Sequence, residues 1–296
     1  MTSDAHQQVR PRRSALYLPA SNARALEKAR SLPCDVVILD LEDAVAPEAK
    51  AEARAAAVAA IRAGGFGPRE LIVRVNGLDT PWGAEDIAAV GAAGPDAVLA
   101  PKVGSAEDVA TFDAALADAP AHTRLWAMIE TPSAVFHLWQ IAGMASASRL
   151  SGQIVGLNDL AKSMRARLTP DRAGFVAILA QAVAAARGHG LTILDAVSNE
   201  IQDVAALEAA CRQGADLGFD GKSLIHPAQI EIANRAFAPS DDELAWSRAV
   251  IAAFADPANA GVGVLKVEGR MAELLHLVEA ERLVALDAAI ALKAAA

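Results

Sequence analysis

Charged side chains recur in this sequence directly after short aliphatic runs, and their types suggest chemistry before any fold is assigned. VVILD delivers Asp40 and leads into Glu42 and Asp43, LIVRV carries Arg74 and leads into Asn76, and Lys102 follows LAP. Glu130 follows LWAMI, Asn158 and Asp159 follow IVGL, TILDA contains Asp195, and GFDGK ends in Lys222 with His226 beyond. Taken singly, each acid suits a helix cap or a salt bridge. Gathered at one place, carboxylates repel one another and lose hydration unless they are paired or hold a cation. Carboxylates arriving on successive strands suit a hard cation with oxygen ligands, and Mg2+ accepts one or two of them alongside waters and substrate oxygens. Glu130 and Asp159 are the pair expected to hold it. No HxH, HExxH or cysteine cluster points to zinc. Arg74 offers a permanently charged fork to a carboxylate or a developing oxyanion, and its competing role is an ion pair with Asp43 or Glu42. His226, in IHPAQ, is expected to order its loop and is left out of the chemistry.

These side chains need a scaffold that brings many strand ends together. The aliphatic runs mark eight strands: Ala15 to Pro19, Val36 to Asp40, Leu71 to Val75, Ala97 to Pro101, Leu125 to Ile129, Gln153 to Gly156, Thr192 to Ala196 and Gly218 to Lys222. Runs apolar at nearly every position fit parallel strands covered on both faces. Alanine-rich helical stretches separate them, opened by Asn22, Ser105, Thr131-Pro132 and Thr169-Pro170 and closed by glycines such as Gly64-Gly65. The expected fold is therefore α/β, a (βα)8 TIM barrel over residues 13–235, with its active site at the carboxyl ends of the strands. Residues 1–12 read as a loose polar tail. Residues 236–296 read as a C-terminal helical extension: a helix over Asp241 to Ala255, a Pro/Asn/Gly break, and a last helix from about Arg270. The last helix carries a stripe of Met271, Leu274, Leu275, Val278, Ala285, Leu286, Ala289 and Ile290, to be covered either by the chain's own barrel or by a neighbouring subunit.

Bulk properties narrow the partners. A net charge of −9 and a pI near 5.2 leave no broad basic surface for nucleic acid or anionic lipid. No apolar run is long enough to span a membrane, and the first residues lack the apolar stretch of a secretory signal, so a cytoplasmic location is expected. Cys34 and Cys211 lack metal spacing and read as reduced core thiols.

Several longer segments, RRSALYLPASNARALEKA, LDLEDAV, VRVN, APKV, IETPSA, GLNDLA, GFDGKSLIHPAQI and EGRMAE, occur in this order across almost the whole chain. In this the sequence resembles the citrate lyase β-subunit-like family, with its malyl-CoA and citramalyl-CoA lyases, within the HpcH/HpaI aldolase superfamily. The resemblance implies a lyase that uses Mg2+, or Mn2+ in its stead, to cleave or form the carbon–carbon bond of a short 3-hydroxyacyl-CoA, giving acetyl-CoA and a small 2-oxoacid, glyoxylate or pyruvate. It places Glu130 and Asp159 at the metal and Arg74 at the substrate, with Asp195, and it sets Tyr17, Arg24 and Lys28 against coenzyme A. Asp40, Glu42, Asp43 and Lys102 support them. It also implies a homotrimer or homohexamer in which Glu273 of a neighbour serves as the acid. Relatives commonly carry Asp there, and many carry a tyrosine where this chain has Ser198 or Asn199. A malyl-CoA thioesterase, an aldolase of free oxoacids and an acyl-carrier-dependent citrate lyase β-type subunit are the competing readings.

Overall fold

The computed structural model describes residues 9–295. They form two compact units, Arg12–Phe237 and a second containing Ala238–Ala296.

In the first unit eight parallel strands close into a barrel in sequence order: β1 Ser14–Pro19, β2 Val36–Asp40, β3 Glu70–Arg74, β4 Ala97–Ala100, β5 Arg124–Ile129, β6 Leu150–Val155, β7 Thr192–Asp195 and β8 Gly221–Leu224. The helices between and after them are α1 Ala23–Ala29, α2 Lys50–Ala63, α3 Gly83–Ala93, α4 Ala106–Ala115, α5 Pro132–Phe136, α6 Leu138–Gly143, α7 Leu157–Met164, α8 Val176–Gly188, α9 Val204–Asp216 and α10 Ile230–Ala236. The expected barrel is thus present, and strand alternation sorts its residues into two layers. Ala15, Val36, Ile38, Ile72, Leu99, Trp126, Ile154 and Leu194 fill the interior, while Leu16, Val37, Leu39, Val73, Val98, Ile129 and Ile193 pack outward on the helices.

Asn22, Ser105 and Thr131 cap α1, α4 and α5 through their side chains, as their positions before helical runs require. Two sequence expectations move. Helix α8 starts at Val176, beyond Thr169-Pro170, and β8 starts at Gly221 because Gly218 takes a left-handed φ of 92° in the preceding turn. Arg12, assigned to the tail, instead ion-pairs with Glu70 and donates to Thr192, joining β3 and β7 below the barrel core. Residues 1–8 of that expected tail lie outside the described residues. Both cysteines are buried, and neither is in a disulfide.

The second unit holds α11 Asp241–Ala255, an antiparallel hairpin of β9 Val264–Val267 and β10 Arg270–Glu273, and α12 Leu274–Ala294. The hairpin replaces the expected start of the last helix. Its two-residue turn, Glu268-Gly269, has both φ angles positive (47° and 84°), the geometry that matches strand twist and favours glycine. Val250, Val267, Ala272 and Ala280 form its core with Trp246 and Leu277. The predicted stripe changes in one respect, since Met271 lies on β10 and not on the helix, and Met271, Leu274, Leu275 and Val278 are each more than half exposed. Among the described residues no helix is long and apolar enough to cross a membrane.

Candidate active site

At the carboxyl ends of the barrel strands lies a cavity of about 310 Å³, lined by Tyr17, Asp40, Asp43, Arg74, Met128, Glu130 and Asp159, among others. All its lining residues belong to the barrel unit. Alternation explains who points in: Asp40 and Arg74 are register partners on β2 and β3, two residues above interior Ile38 and Ile72.

Arg74 is held by a bidentate pair to Asp40, with Nε to Oδ1 at 2.8 Å and an Nη to Oδ2 at 2.6 Å. Its other Nη meets Glu42 at 2.8 Å and Asp43 at 3.5 Å. The guanidinium lies 5.1 Å from the centroid of the Tyr17 ring, whose hydroxyl reaches the Met128 sulfur at 3.3 Å. Burial opposes the Arg74 charge, and the hydrogen bonds and charge of Asp40 outweigh it, leaving the pKa well above its ordinary value. The expected pairing with Glu42 or Asp43 therefore exists alongside the cavity-facing position. The loop after β2 is itself pinned: Asp40 accepts from the backbone of Glu42 and Ala44, and buried Lys50 donates to the carbonyls of Leu41 and Glu42 and to Asn76. Burial lowers the Lys50 pKa. Sequence reading missed Lys50, because a lysine early in a helix ordinarily faces water.

Glu130 follows β5 and is 1% exposed. Its Oε1 accepts the backbone N–H of Lys102 at 2.8 Å, and Lys102 adopts a left-handed φ of 52° at the β4 end to aim that donor. The Lys102 ammonium turns to Glu42 at 2.7 Å. Burial, followed by the nearby charge of Glu42, pushes the Glu130 carboxyl up to about 7, with Asp159 adding to the rise. Burial likewise raises Glu42, opposed by Arg74. Gly156, after β6, makes room for Glu130: a Cβ there would lie 2.5 Å from Oε2. Asp159, in the first turn of α7, is half-buried and lines the same cavity.

Neither Glu130 nor Asp159 is ion-paired among the described residues, and Asp159 takes no hydrogen bond from them. Among those residues no three His, Cys, Asp or Glu side chains close on one point. Two carboxylates suffice for Mg2+, which completes its shell with waters and ligand oxygens. The residues fit such a cation: one carboxyl too buried to ionise readily by itself, a second without a partner, and a glycine that leaves space between strands.

Other expected site residues lie elsewhere. Asp195 is corrected: it points outward from β7 into the layer beneath α9, fully buried, where it pairs with Arg172 at 2.7 Å and Lys222 at 3.0 Å. It does not line the cavity, because it sits one residue beyond inward-facing Leu194. Arg24 and Lys28 stand exposed on α1, apart from the cavity lining that holds Tyr17. Glu273 ends β10 in the second unit, its N–H donating to His276. His226 orders its loop, accepting from the Ala228 N–H at 3.2 Å. Val197, Ser223 and Ile225 complete the cavity wall and were not singled out, since small or apolar residues at strand ends carry no distinguishing signal.

Fold and site together define an α/β-barrel protein with an acidic cavity at the strand carboxyl ends. The chain belongs to the HpcH/HpaI aldolase/citrate lyase family, whose model matches residues 13–227. It is 47% identical over 284 residues to a (3S)-malyl-CoA thioesterase of Cereibacter sphaeroides, covering 96% of this chain and 97% of that protein. It is 35% identical over 302 residues to an L-malyl-CoA/beta-methylmalyl-CoA lyase of the same species, covering 93% and 94%. Among solved structures it resembles CitE of Mycobacterium tuberculosis, crystallised with magnesium, acetoacetate and coenzyme A, with a TM-score of 0.74 and 31% identity over 94% of this chain and 98% of that one.

Proposed function

We propose that the protein is a Mg2+-dependent enzyme acting on malyl-CoA or a close 3-hydroxyacyl-CoA, and that it hydrolyses the thioester. The observation that carries this reading is the meeting of Glu130 and Asp159, neither ion-paired, in one cavity beside the fixed Arg74 fork. The 47% identity to a malyl-CoA thioesterase, against 35% to a lyase, favours hydrolysis, and the solved relative's magnesium, acetoacetate and coenzyme A favour the ligand class.

Bound Mg2+, or Mn2+ in its place, supplies a Lewis acid that polarises and orients substrate oxygens. Glu130 and Asp159 would hold it, with Glu130 in its ionised form. Arg74 has two of its N–H groups hydrogen-bonded to Asp40 and an ion pair with Glu42, and its remaining N–H groups are assigned to the oxyanion that develops on the thioester carbonyl. Because Asp40 fixes the fork beforehand, little reorganisation accompanies the reaction. Water oxygen bonds to the thioester carbon, the carbon–sulfur bond breaks, and malate and coenzyme A leave. Asp43, 56% exposed at the cavity, is the carboxylate assigned to take the water's proton. The cavity suits the acid portion, and Arg24 and Lys28 on α1 are assigned to coenzyme A phosphates outside it.

Carbon–carbon cleavage to acetyl-CoA and glyoxylate, or to pyruvate from citramalyl-CoA, is the second reading, favoured by the lyase relative. The same Arg74 would stabilise the enolate. Glu273 of a neighbouring subunit would protonate its carbon, and the exposed apolar residues around it support a homotrimer or homohexamer. Mass spectrometry of purified protein incubated with Mg2+ and malyl-CoA separates the readings: malate with free coenzyme A supports hydrolysis, glyoxylate with acetyl-CoA supports cleavage. An untouched substrate overturns both.

A further inference from the structure

Among the described residues no side-chain or backbone donor fixes the Asp159 carboxylate, so its position depends on the turn that carries it. That turn is weakly secured from within. Helix α7 spans only Leu157–Met164, and its N-cap is Gly156, which supplies no side-chain cap. Buried Leu157 and Leu160 pack this turn on the core, but no side-chain cap orients its solvent-facing side, where Asn158 and Asp159 sit.

An external hold exists. Asn158, adjacent to Asp159, exchanges two hydrogen bonds with Asn199 in the loop after β7: Asn158 Nδ2 donates to Asn199 Oδ1 at 3.1 Å, and Asn199 Nδ2 donates to Asn158 Oδ1 at 2.8 Å. Paired amides of this kind are directional at both ends, so the bond fixes orientation as well as distance. The far side is anchored in turn. The carbonyl of Ser198, next to Asn199, accepts from Nε2 of Gln229 at 3.1 Å, and Oε1 of Gln229 accepts from the backbone of Ile225 and His226. Gln229 is buried, which makes it a stiff post. A chain of side-chain and backbone bonds thus runs from the end of β8, through the β7 loop, to the first turn of α7.

We infer that Asn199, acting through Asn158, is a positioning residue that presents Asp159 to the cation. The inference rests on the reading of Asp159 as a metal ligand. Asn199 is one of the two loop positions, with Ser198, at which the sequence departs from the tyrosine of many relatives.

The test measures Mn2+ affinity of the full chain by electron paramagnetic resonance for the native protein and for Asp159→Asn, Asn158→Ala, Asn199→Ala and the double Asn variant. Asp159→Asn is expected to weaken binding most. Each single Asn variant is expected to weaken it about 3–10-fold, the range for losing modest hydrogen bonds, and the double variant no further than either single. Because both amides are exposed, thermal unfolding should not move. In turnover, the Mg2+ concentration for half-maximal rate should rise while the rate at saturating Mg2+ holds, a split that general loosening of the fold would not give. Unchanged Mn2+ affinity in Asn199→Ala alongside weakened binding in Asp159→Asn overturns the positioning role alone. Unchanged affinity in Asp159→Asn overturns the metal assignment beneath it.

Discussion

Two charge clusters stand at strand ends of the same barrel, and they are opposites in construction. In the mouth, Asp40, Glu42, Asp43, Glu130 and Asp159 outnumber Arg74 and Lys102, and two of the carboxyls have no cationic partner. Behind β7, a single carboxylate, Asp195, meets both Arg172 and Lys222, and Arg172 is further bonded to Gln213 and the Ala210 carbonyl. The first cluster carries more carboxylates than cations, and the proposed metal would offset that excess. In the second the one carboxylate is fully paired. Residue types alone do not distinguish binding from bracing; the sign of the unbalanced charge and the face of the strand do.

The sharpest way to break this contrast is substitution on each side. Glu130→Ala should cost roughly 10³-fold or more in kcat, since it removes a holder of the electrophile, and circular dichroism should show the fold retained. Full turnover in that variant, unaffected by EDTA, would erase the difference between the clusters. Asp195→Ala should do the reverse. It leaves two buried cations without a counter-charge and should destabilise the fold by about 3–5 kcal/mol in urea titrations, with kcat per folded molecule little altered. A selective loss of kcat there would return Asp195 to the active site.

The barrel was legible because its signal is repetitive: eight aliphatic runs, each followed by a helical stretch, allow few other closures. That Glu130, Asp159, Arg74 and Asp40 would gather around one cavity was legible because strand ends at this barrel face converge by architecture. Asp195 failed for want of one residue of phase. A strand buried on both faces gives no polar alternation from which to read direction, so TILDA does not say whether its Asp faces the interior or the helices. The hairpin before α12 was lost for a similar reason, since its short strands are too brief to compete with the helical periodicity that follows. Lys50 was lost because only tertiary contacts reveal that a helical lysine is turned inward.

A third measurement sharpens the contrast through protons. The Glu130 carboxyl lies at about 7 in the folded protein against an ordinary 4.5, so between these values the folded chain binds the proton that the unfolded chain has released. Metal-free stability should therefore be greatest below about pH 4.5 as far as this group is concerned, and fall as pH rises to about 7, by about 3 kcal/mol in all. Glu130→Gln should abolish that slope and make the metal-free protein more stable than the native one at pH 8. Mg2+ at pH 8 should restore the native protein and leave Glu130→Gln unmoved. Denaturant midpoints across pH, with and without Mg2+, report all three outcomes.

The smallest effect concerns the exposed cations that belong to neither cluster. Arg24 and Lys28 lie one helical turn apart on α1, in water, where a phosphate contact is screened and contributes little at each side chain. Converting either to Ala should raise KM for the CoA thioester only about 2–5-fold and leave kcat alone, the pattern of an interaction made equally in ground and transition states. The double variant should be closer to additive than any pair within the mouth, because two exposed side chains on separate phosphates share no buried partner. The effect should also shrink in high salt, which the mouth substitutions should not show. A salt-insensitive KM, or a fall in kcat, would mean that α1 closes onto the substrate and that the boundary of the acidic cluster extends to this helix.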